Sequence, residues 1–328
     1  MNYRTLGKTG FKISEISLGT WQLSDEWSKD LDRTHAKKLL HTAIDRGVNF
    51  LDTADVYGDG KSESIVAETV KERDERVYVA TKCGRKITPH VSEQYTPSAL
   101  RNYVEDSLRN MGLECLDLIQ LHCPPTEVYY RPEIFELFND LKKEGKIKYL
   151  GVSVEKVEEA LKAIEFENVS TVQIIFNIFR QRPADLFFEQ ASKRDIGIIV
   201  RVPLASGLLT GKFSESSTFK KSDHRNFNRE GKAFDKGETF AGIDFETGLE
   251  ATRQLKALFP DHDNLAPVAL KWITQHEEVS TVIPGASSVD HVISNCSAYQ
   301  VPKIDASTWQ RIDDLYNKKI KPEVHHRW

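Results

Sequence analysis

Short apolar runs alternate with longer segments of helical period along most of this chain. Runs at 16–19, 50–52, 77–82, 116–121, 147–152, 172–175, 196–202 and 281–283 read as eight strands. Several are apolar on both faces, which requires cover on both sides and implies a parallel sheet. The segment from Asp32 carries Ala36, Leu39, Leu40, Ala43 and Ile44 at helical spacing, and Gly47 ends it. Further helices are predicted over 62–71, 97–111 with Gly112 just past the end, 132–144 stopped by Gly145, 154–164 and 184–194. Others follow over 249–259, 267–276, 289–299 and 305–318. Residues 3–11 read as a hairpin that turns between Gly7 and Gly10. A polar stretch at 212–248, rich in Lys, Asp, Ser and Gly, interrupts the rhythm and reads as a surface insertion.

Eight strand–helix units are the count of a (β/α)8 TIM barrel, whose core takes about 250 residues. The remainder of the 328 residues fits an N-terminal β-hairpin cap, the insertion and a C-terminal helical extension, within one domain spanning 1–328. The rival is a doubly wound open sheet, which wants a Gly-x-Gly-x-x-Gly turn after an early strand. Gly58-Asp59-Gly60 lacks the third glycine and opens no such turn.

Composition narrows the partners. A net charge of -4 gives no reason to expect nucleic acid or an anionic membrane. Cys83, Cys115, Cys123 and Cys296 form no Cys-x-x-Cys pair, which suits a reducing compartment. Residues 1–15 lack the apolar core of a signal peptide, and no run reaches the length of a membrane span. The expected location is the cytoplasm, and a homo-oligomer stays open.

In a barrel, chemistry gathers at the C-terminal ends of the strands. Strand two ends in Asp52 with Tyr57 just beyond, strand three in Thr81-Lys82, and strand four in Leu121-His122. Taken singly, each has an ordinary explanation: a cap, a turn aromatic, a solvated strand end, a loop histidine. Their conjunction on three consecutive strands suggests proton transfer. A tyrosine of pKa near 10 is a poor acid–base at neutral pH. A nearby Lys82 ammonium should stabilise its phenolate and pull the pKa down, with Asp52 holding Lys82 charged. His122 would orient the substrate oxygen, and Tyr57 would protonate the alkoxide of a carbonyl undergoing reduction.

Asp52-Thr-Ala-x-x-Tyr57-Gly58, Thr81-Lys82 and Leu121-His122-x-Pro124 resemble the aldo-keto reductase family, in its bacterial-type and potassium-channel-β-subunit-like branch. The resemblance runs from about residue 3 to about residue 300. It implies a (β/α)8 barrel that uses NAD(P)H to reduce aldehydes and ketones. It makes Tyr57 the general acid–base, Lys82 and Asp52 its activating pair, and His122 the orienting group. On the cofactor side it implies Ser153 and Gln173 for the carboxamide, with Val154 standing where relatives carry Asn. Pro203, Leu204, Ser206, Gly207, Leu208, Gly211 and Lys212 resemble the pyrophosphate loop. Gly285, Ser287, His291 and Asn295 resemble the adenosine 2′-phosphate and adenine site. Gly19, Thr20 and Trp21 after strand one are further cofactor candidates, as is Asp52 itself.

Arg201 departs from the pattern, standing where many relatives place an aromatic. It could stack through its planar guanidinium, bind an acidic substrate or a phosphate, or form a salt bridge across the mouth. The family points to NADPH, but Gly, Ala, Ser and His replace the expected Arg or Lys near 285–291, which leaves NADH as the alternative. Trp21, Trp27, Tyr129, Tyr130 and Trp328 either line a substrate pocket or pack its rim. His325 and His326 are adjacent and make no metal pair; no metal is expected. The reading is an NAD(P)H-dependent oxidoreductase for a small-molecule carbonyl. Its alternative is a cofactor-bound redox-sensing subunit with slow turnover. A metal-dependent barrel hydrolase is disfavoured because Lys82 would repel the cation.

Overall fold

The structure, a computed structural model, describes residues 1–23 and 32–327. Trp27 and Trp328, two of the aromatic pocket candidates, lie outside them. An antiparallel hairpin, β1 (Tyr3–Thr5) and β2 (Lys12–Ser14), precedes eight parallel strands. These are β3 (Leu18–Gly19), β4 (Phe50–Asp52), β5 (Tyr78–Cys83), β6 (Leu116–His122), β7 (Ile147–Ser153), β8 (Val169–Ile175), β9 (Gly197–Arg201) and β10 (Val279–Val282). Each pairs with the next in chain order. Parallel bridges of Ile16 to Val282 and Gly19 to Gly285 close the ring, with Ser17 N donating to Val282 O at 2.9 Å. The eight predicted strands are the eight staves of a (β/α)8 barrel.

The helices that cover the barrel begin and end where local chemistry dictates. At α1 (Arg33–Asp45) the Asp32 carboxylate accepts from His35 N at 2.6 Å, a cap of roughly 1 kcal/mol. At α2 (Pro97–Met111) Thr96 caps, Pro97 opens and Gly112 closes at φ +58°. The hairpin plugs the N-terminal end of the barrel. Leu6 and Ile13 are fully buried among Phe50, Ala80, Leu118 and Ile199, and Phe11 stacks on Tyr78 at 4.2 Å. Gly7 permits this approach: at φ +46° its Cβ would lie 2.2 Å from Gly197 N.

Three expectations shift. The predicted helix at 154–164 is only Val157–Ala163, because the Glu159 carboxylate accepts from Glu155 N and Lys156 N and sets the start there. Val154 stays extended, its N–H donating to Gln173 O at 3.0 Å. The helix expected from residue 249 begins at Phe245, since Asp244 caps Glu246 N and Thr247 N. The segment 212–248 is not a mere surface excursion. It contains a short helix, His224–Phe227, and buries His224, Asn228, Thr239, Phe240 and Ala241.

Candidate active site

Period-two alternation along the strands builds the site in layers. Phe50, Ala80, Leu118 and Ile199 share an apolar layer inside the barrel. Two residues farther along the same strands come Asp52, Lys82, Gln120 and Arg201. Asp52, Lys82 and Gln120 are buried with Gln173 of β8 in a polar layer. The Lys82 ammonium sits 2.5 Å from Asp52 Oδ1 and donates to Thr53 O at 2.9 Å. It also donates to the Tyr57 phenol at 3.3 Å. The other carboxylate oxygen of Asp52 accepts from Gln120 Nε2 at 3.0 Å and from Gln173 Nε2 at 2.8 Å. Every oxygen of the buried carboxylate is therefore answered, as a buried charge requires.

Electrostatics assign the protonation states. Burial works against the Lys82 charge, but Asp52 first and then Tyr57 outweigh it, and the ammonium is held above its usual range. Burial raises the Tyr57 phenol, and Lys82 recovers only part of that shift, so the phenol stays above its ordinary value. This corrects the expectation that Lys82 would bring Tyr57 down: its pull has the expected sign, but desolvation is larger. Tyr57 is thus protonated at neutral pH. His122, edge-on to Tyr57 at 6.0 Å, is driven well below its usual pKa by burial and then by Lys82, Arg85 and Arg201. It is a neutral imidazole with one donor and one acceptor nitrogen, and its Nδ1 meets no hydrogen-bond partner among the described residues.

The cofactor candidates fall into two groups. The turn after β9 has the character of an anion cradle: Ala205, Ser206 and Gly207 run through left-handed φ values of 45°, 55° and 100°. Non-glycine residues held there cost about 1–3 kcal/mol each, strain that collects at ligand sites. Lys212 is exposed just beyond the turn and acts electrostatically on His291. Exposed Ser287 faces His291, with Oγ to Nδ1 at 3.2 Å. These groups suit a dinucleotide phosphate.

Other candidates serve the frame. Gly19 N donates to Pro284 O, Thr20 Oγ1 to Asp52 O at 2.9 Å, and Asn295 Nδ2 to Gly285 O at 3.2 Å. The Ser206 hydroxyl donates to Glu238 O at 2.9 Å, Leu208 is buried, and Gln173 is tied to Asp52. Gly211 ends the turn at φ +72°, while Pro203 and Leu204 lead into it. Ser153 is buried beside Cys123, Oγ to Sγ at 3.5 Å. Tyr129 supports it from behind, donating to Ser153 O at 3.3 Å, whereas Tyr130 is exposed. The C-terminal tail docks through His325, which meets the Tyr316 hydroxyl at 2.7 Å and Asp185 at 3.1 Å.

Sequence reasoning missed Gln120, although a glutamine inside an apolar strand was its signal. It also missed the surroundings of Arg201. That guanidinium donates to Val154 O at 3.0 Å and Glu155 Oε2 at 3.2 Å, and lies 3.4 Å from Glu238 Oε2. Cys123 Sγ is 3.5 Å away, and Arg85 lies 3.8 Å from the other oxygen of Glu155. Of the alternatives weighed for Arg201, the salt bridge across the mouth is the one formed. Cys123, Glu155 and Glu238 offer ligand atoms within 4.8 Å of one another, but two arginines among them oppose a cation. The segment 212–248 also brings aromatics: the His224 and Phe234 rings lie 5.3 and 6.2 Å from that of Trp21, whose plane is inclined 25° to the Tyr57 ring at 6.4 Å.

The chain is similar to known proteins along most of its length. Residues 15–317 match the model of the Aldo/keto reductase family. An NADH-specific methylglyoxal reductase of Escherichia coli is 27% identical over 92% of this chain and 94% of its own. A putative voltage-gated potassium channel subunit beta of Schizosaccharomyces pombe is 28% identical over 96% and 93%. Among solved structures, the glycerol dehydrogenase of Gluconobacter oxydans superposes with a TM-score of 0.77 at 26% identity, covering 99% of this chain and 96% of that one. The barrel and the family match agree, and the chain belongs to the aldo/keto reductase family of oxidoreductases.

Proposed function

We propose that this protein reduces small aldehydes or ketones to alcohols, with a nicotinamide dinucleotide as electron donor and Tyr57 as the general acid. The observation that carries the reading is the Lys82 ammonium placed between Asp52 at 2.5 Å and Tyr57 at 3.3 Å. When bound, the nicotinamide would supply the hydride. Tyr57, protonated at neutral pH, holds the proton that the developing alkoxide needs. Lys82 stabilises the phenolate left behind, so the buried anion forms beside a fixed positive charge rather than in a bare low-dielectric pocket. Asp52 keeps Lys82 charged and in place. Neutral His122 hydrogen-bonds the substrate oxygen without competing as an acid. Ser153 and the turn from Pro203 to Lys212 would hold the cofactor, with Ser287 and His291 at its 2′-phosphate. NADPH is the proposed partner and NADH the alternative.

The test is Tyr57→Phe. Cofactor binding, followed by quenching of protein fluorescence, should stay within about threefold of the parent. Turnover should drop by at least about 10²-fold, the usual worth of a positioned acid. Parent-like reduction by this variant would refute the assignment. The similarity to a channel β subunit supports a second reading, a cofactor-bound redox sensor. Tight nicotinamide binding with no oxidation against a panel of aldehydes would favour it. We place the protein in the cytoplasm as one domain. The four cysteines are free thiols, and no described helix is long and apolar enough to cross a membrane.

A further inference from the structure

Gln120 carries an amide into the centre of the barrel. The residue is wholly buried, and its neighbours along β6, Ile119 and Leu121, are apolar and equally buried. A buried amide costs free energy unless its donors and acceptor are met. Here the partners come from two other strands. Gln120 Nε2 donates to Asp52 Oδ2 on β4 at 3.0 Å, and its Oε1 accepts from Gln173 Nε2 on β8 at 3.1 Å. Gln173 Nε2 also donates to Asp52 Oδ2, at 2.8 Å, so the three side chains close a ring. The strand between Gln120 and Gln173 is β7, and Gly151 is its ladder partner to Gln120. A Cβ on Gly151 would lie 3.2 Å from Gln120 Cγ and 2.1 Å from Thr171 Oγ1, so the missing side chain leaves Gln120 the room to cross.

We propose that Gln120 is a positioning residue for the proton transfer: by tying Asp52 Oδ2 to the Gln173 amide, it turns the carboxylate so that Oδ1 faces Lys82. The inference rests on the carbonyl-reductase reading above and adds a residue to it. The ring has only one hydrogen-bond sense. An ionised carboxylate only accepts, so both glutamines present their NH2 groups to Oδ2. Gln173 then spends one hydrogen on Asp52 and the other on Gln120. Oδ1 is left to the Lys82 ammonium at 2.5 Å, which donates in turn to the Tyr57 phenol at 3.3 Å. Gln120 thus acts on Tyr57 through Asp52 and Lys82. Without it, Oδ2 loses one of these donors and the Gln173 NH2 loses an acceptor. The carboxylate is then free to turn from the angle that holds the ammonium against the phenol. Stabilisation of a forming phenolate depends on that placement, because charge-assisted hydrogen bonds weaken with distance and misalignment.

The experiment makes Gln120→Met and Gln120→Glu in the full-length protein and follows cofactor oxidation with propanal and glyceraldehyde at pH 6 and pH 9. Titration with cofactor counts the intact sites, so unfolded protein is not mistaken for a lower kcat. Methionine keeps the length and removes both hydrogen-bonding groups. In that variant kcat should fall by about tenfold or more, the worth of a hydrogen bond to a charged group, with aldehyde KM within about threefold of the parent. The glutamate variant supplies the signature. Asp52, Lys82 and the Tyr57 phenol are ionisable groups bonded into this cluster, and the new carboxyl meets Asp52 directly. Two buried carboxyl groups in contact keep one proton between them to a higher pH than either would alone. While that proton is held, the new side chain donates to Asp52 and accepts from Gln173, as Gln120 does. Once it leaves, the ring contains a repelling charge. The kcat of Gln120→Glu relative to the parent at matched pH should therefore be within about threefold at pH 6 and lower by about tenfold or more at pH 9. A role in packing alone would give the same ratio at both. Parent-like kcat in folded Gln120→Met, or a Gln120→Glu ratio that does not move with pH, overturns the inference and leaves the reductase reading intact. A parent that oxidises cofactor with neither aldehyde refutes the reductase reading, and the inference with it. Gln120→Glu matches the parent in size and decides alone if Gln120→Met fails to fold.

Discussion

Replacing Asp52 by Asn tests the buried pair at the centre of the site. The change keeps the side-chain shape but removes the charge 2.5 Å from the Lys82 ammonium. Both partners are almost wholly buried, with side-chain exposures of 1% and 3%. Removing one member of such a pair leaves an uncompensated charge and costs about 3–5 kcal/mol. The amide also fits its neighbours poorly. Gln120 and Gln173 both donate to the second oxygen of Asp52, and an asparagine NH2 in that place would face two donors. A loss of about 3 kcal/mol spread over 328 residues lowers Tm by about 4 °C, taking roughly 2 cal/mol/K of unfolding entropy per residue.

The pH dependence identifies the cause. In the parent Lys82 is raised, so its contribution is present below the unfolded lysine pKa and lost only as pH climbs past it. Without Asp52, burial dominates and Lys82 is depressed. The unfolded chain then binds more protons than the folded one, and stability rises with pH until the unfolded lysine also loses its proton near 10.4. Between pH 7.5 and 9.5 the variant should regain about 2 kcal/mol relative to the parent, read as a difference in urea midpoints at matched pH. A neutral Lys82 also no longer stabilises the Tyr57 phenolate, so kcat should fall by about 10²-fold or more. A variant within about 1 kcal/mol of the parent at pH 7.5, with no relative gain at pH 9.5, would refute the account of Asp52 as the counter-charge.

Two further outcomes follow from neighbouring groups. Asp55, two residues before Tyr57, is buried, and neither carboxylate oxygen has a hydrogen-bond partner of good geometry among the described residues. Burial and then Glu63 push it up to about 7. Because its folded pKa lies above the unfolded value, its ionisation penalises the fold increasingly from about pH 4 to 7. Asp55→Asn should therefore stabilise by about 2–4 kcal/mol at pH 8 and by little at pH 4.5; an equal effect at both pH values would contradict this. His291 sits lowered by burial and then by Lys212, and is neutral at pH 7.5. His291→Arg adds a permanent charge beside Ser287 and should raise the NADPH-to-NADH affinity ratio about tenfold. An unchanged ratio in fluorescence titration would remove Ser287 and His291 from the 2′-phosphate site.

Much of this molecule was legible in its sequence because the deciding physics is local. Eight short runs, several of them apolar on both faces and each too short for a helix, read as parallel staves. Gly112, Pro97 and Asp32 mark helix ends through backbone preferences that need no partner. The spacing from Asp52 to Tyr57, with Lys82 and His122 at later strand ends, placed four groups at one mouth, because the barrel always brings successive strand ends together. The protonation states were not legible. Whether Lys82 or burial wins at Tyr57 depends on how completely the mouth is covered, and 212–248, whose polar composition conceals a buried interior, contributes Glu238 to the charges around Tyr57. Nor could Arg201 be given its partners. Glu155 lies 46 residues away from it in sequence, and Glu238 belongs to the segment that only the fold returns to the barrel. Local periodicity determined the scaffold and the proton-transfer residues. The tertiary structure decided their charge states and the walls around them, because desolvation and long-range ion pairing exist only once the chain has closed.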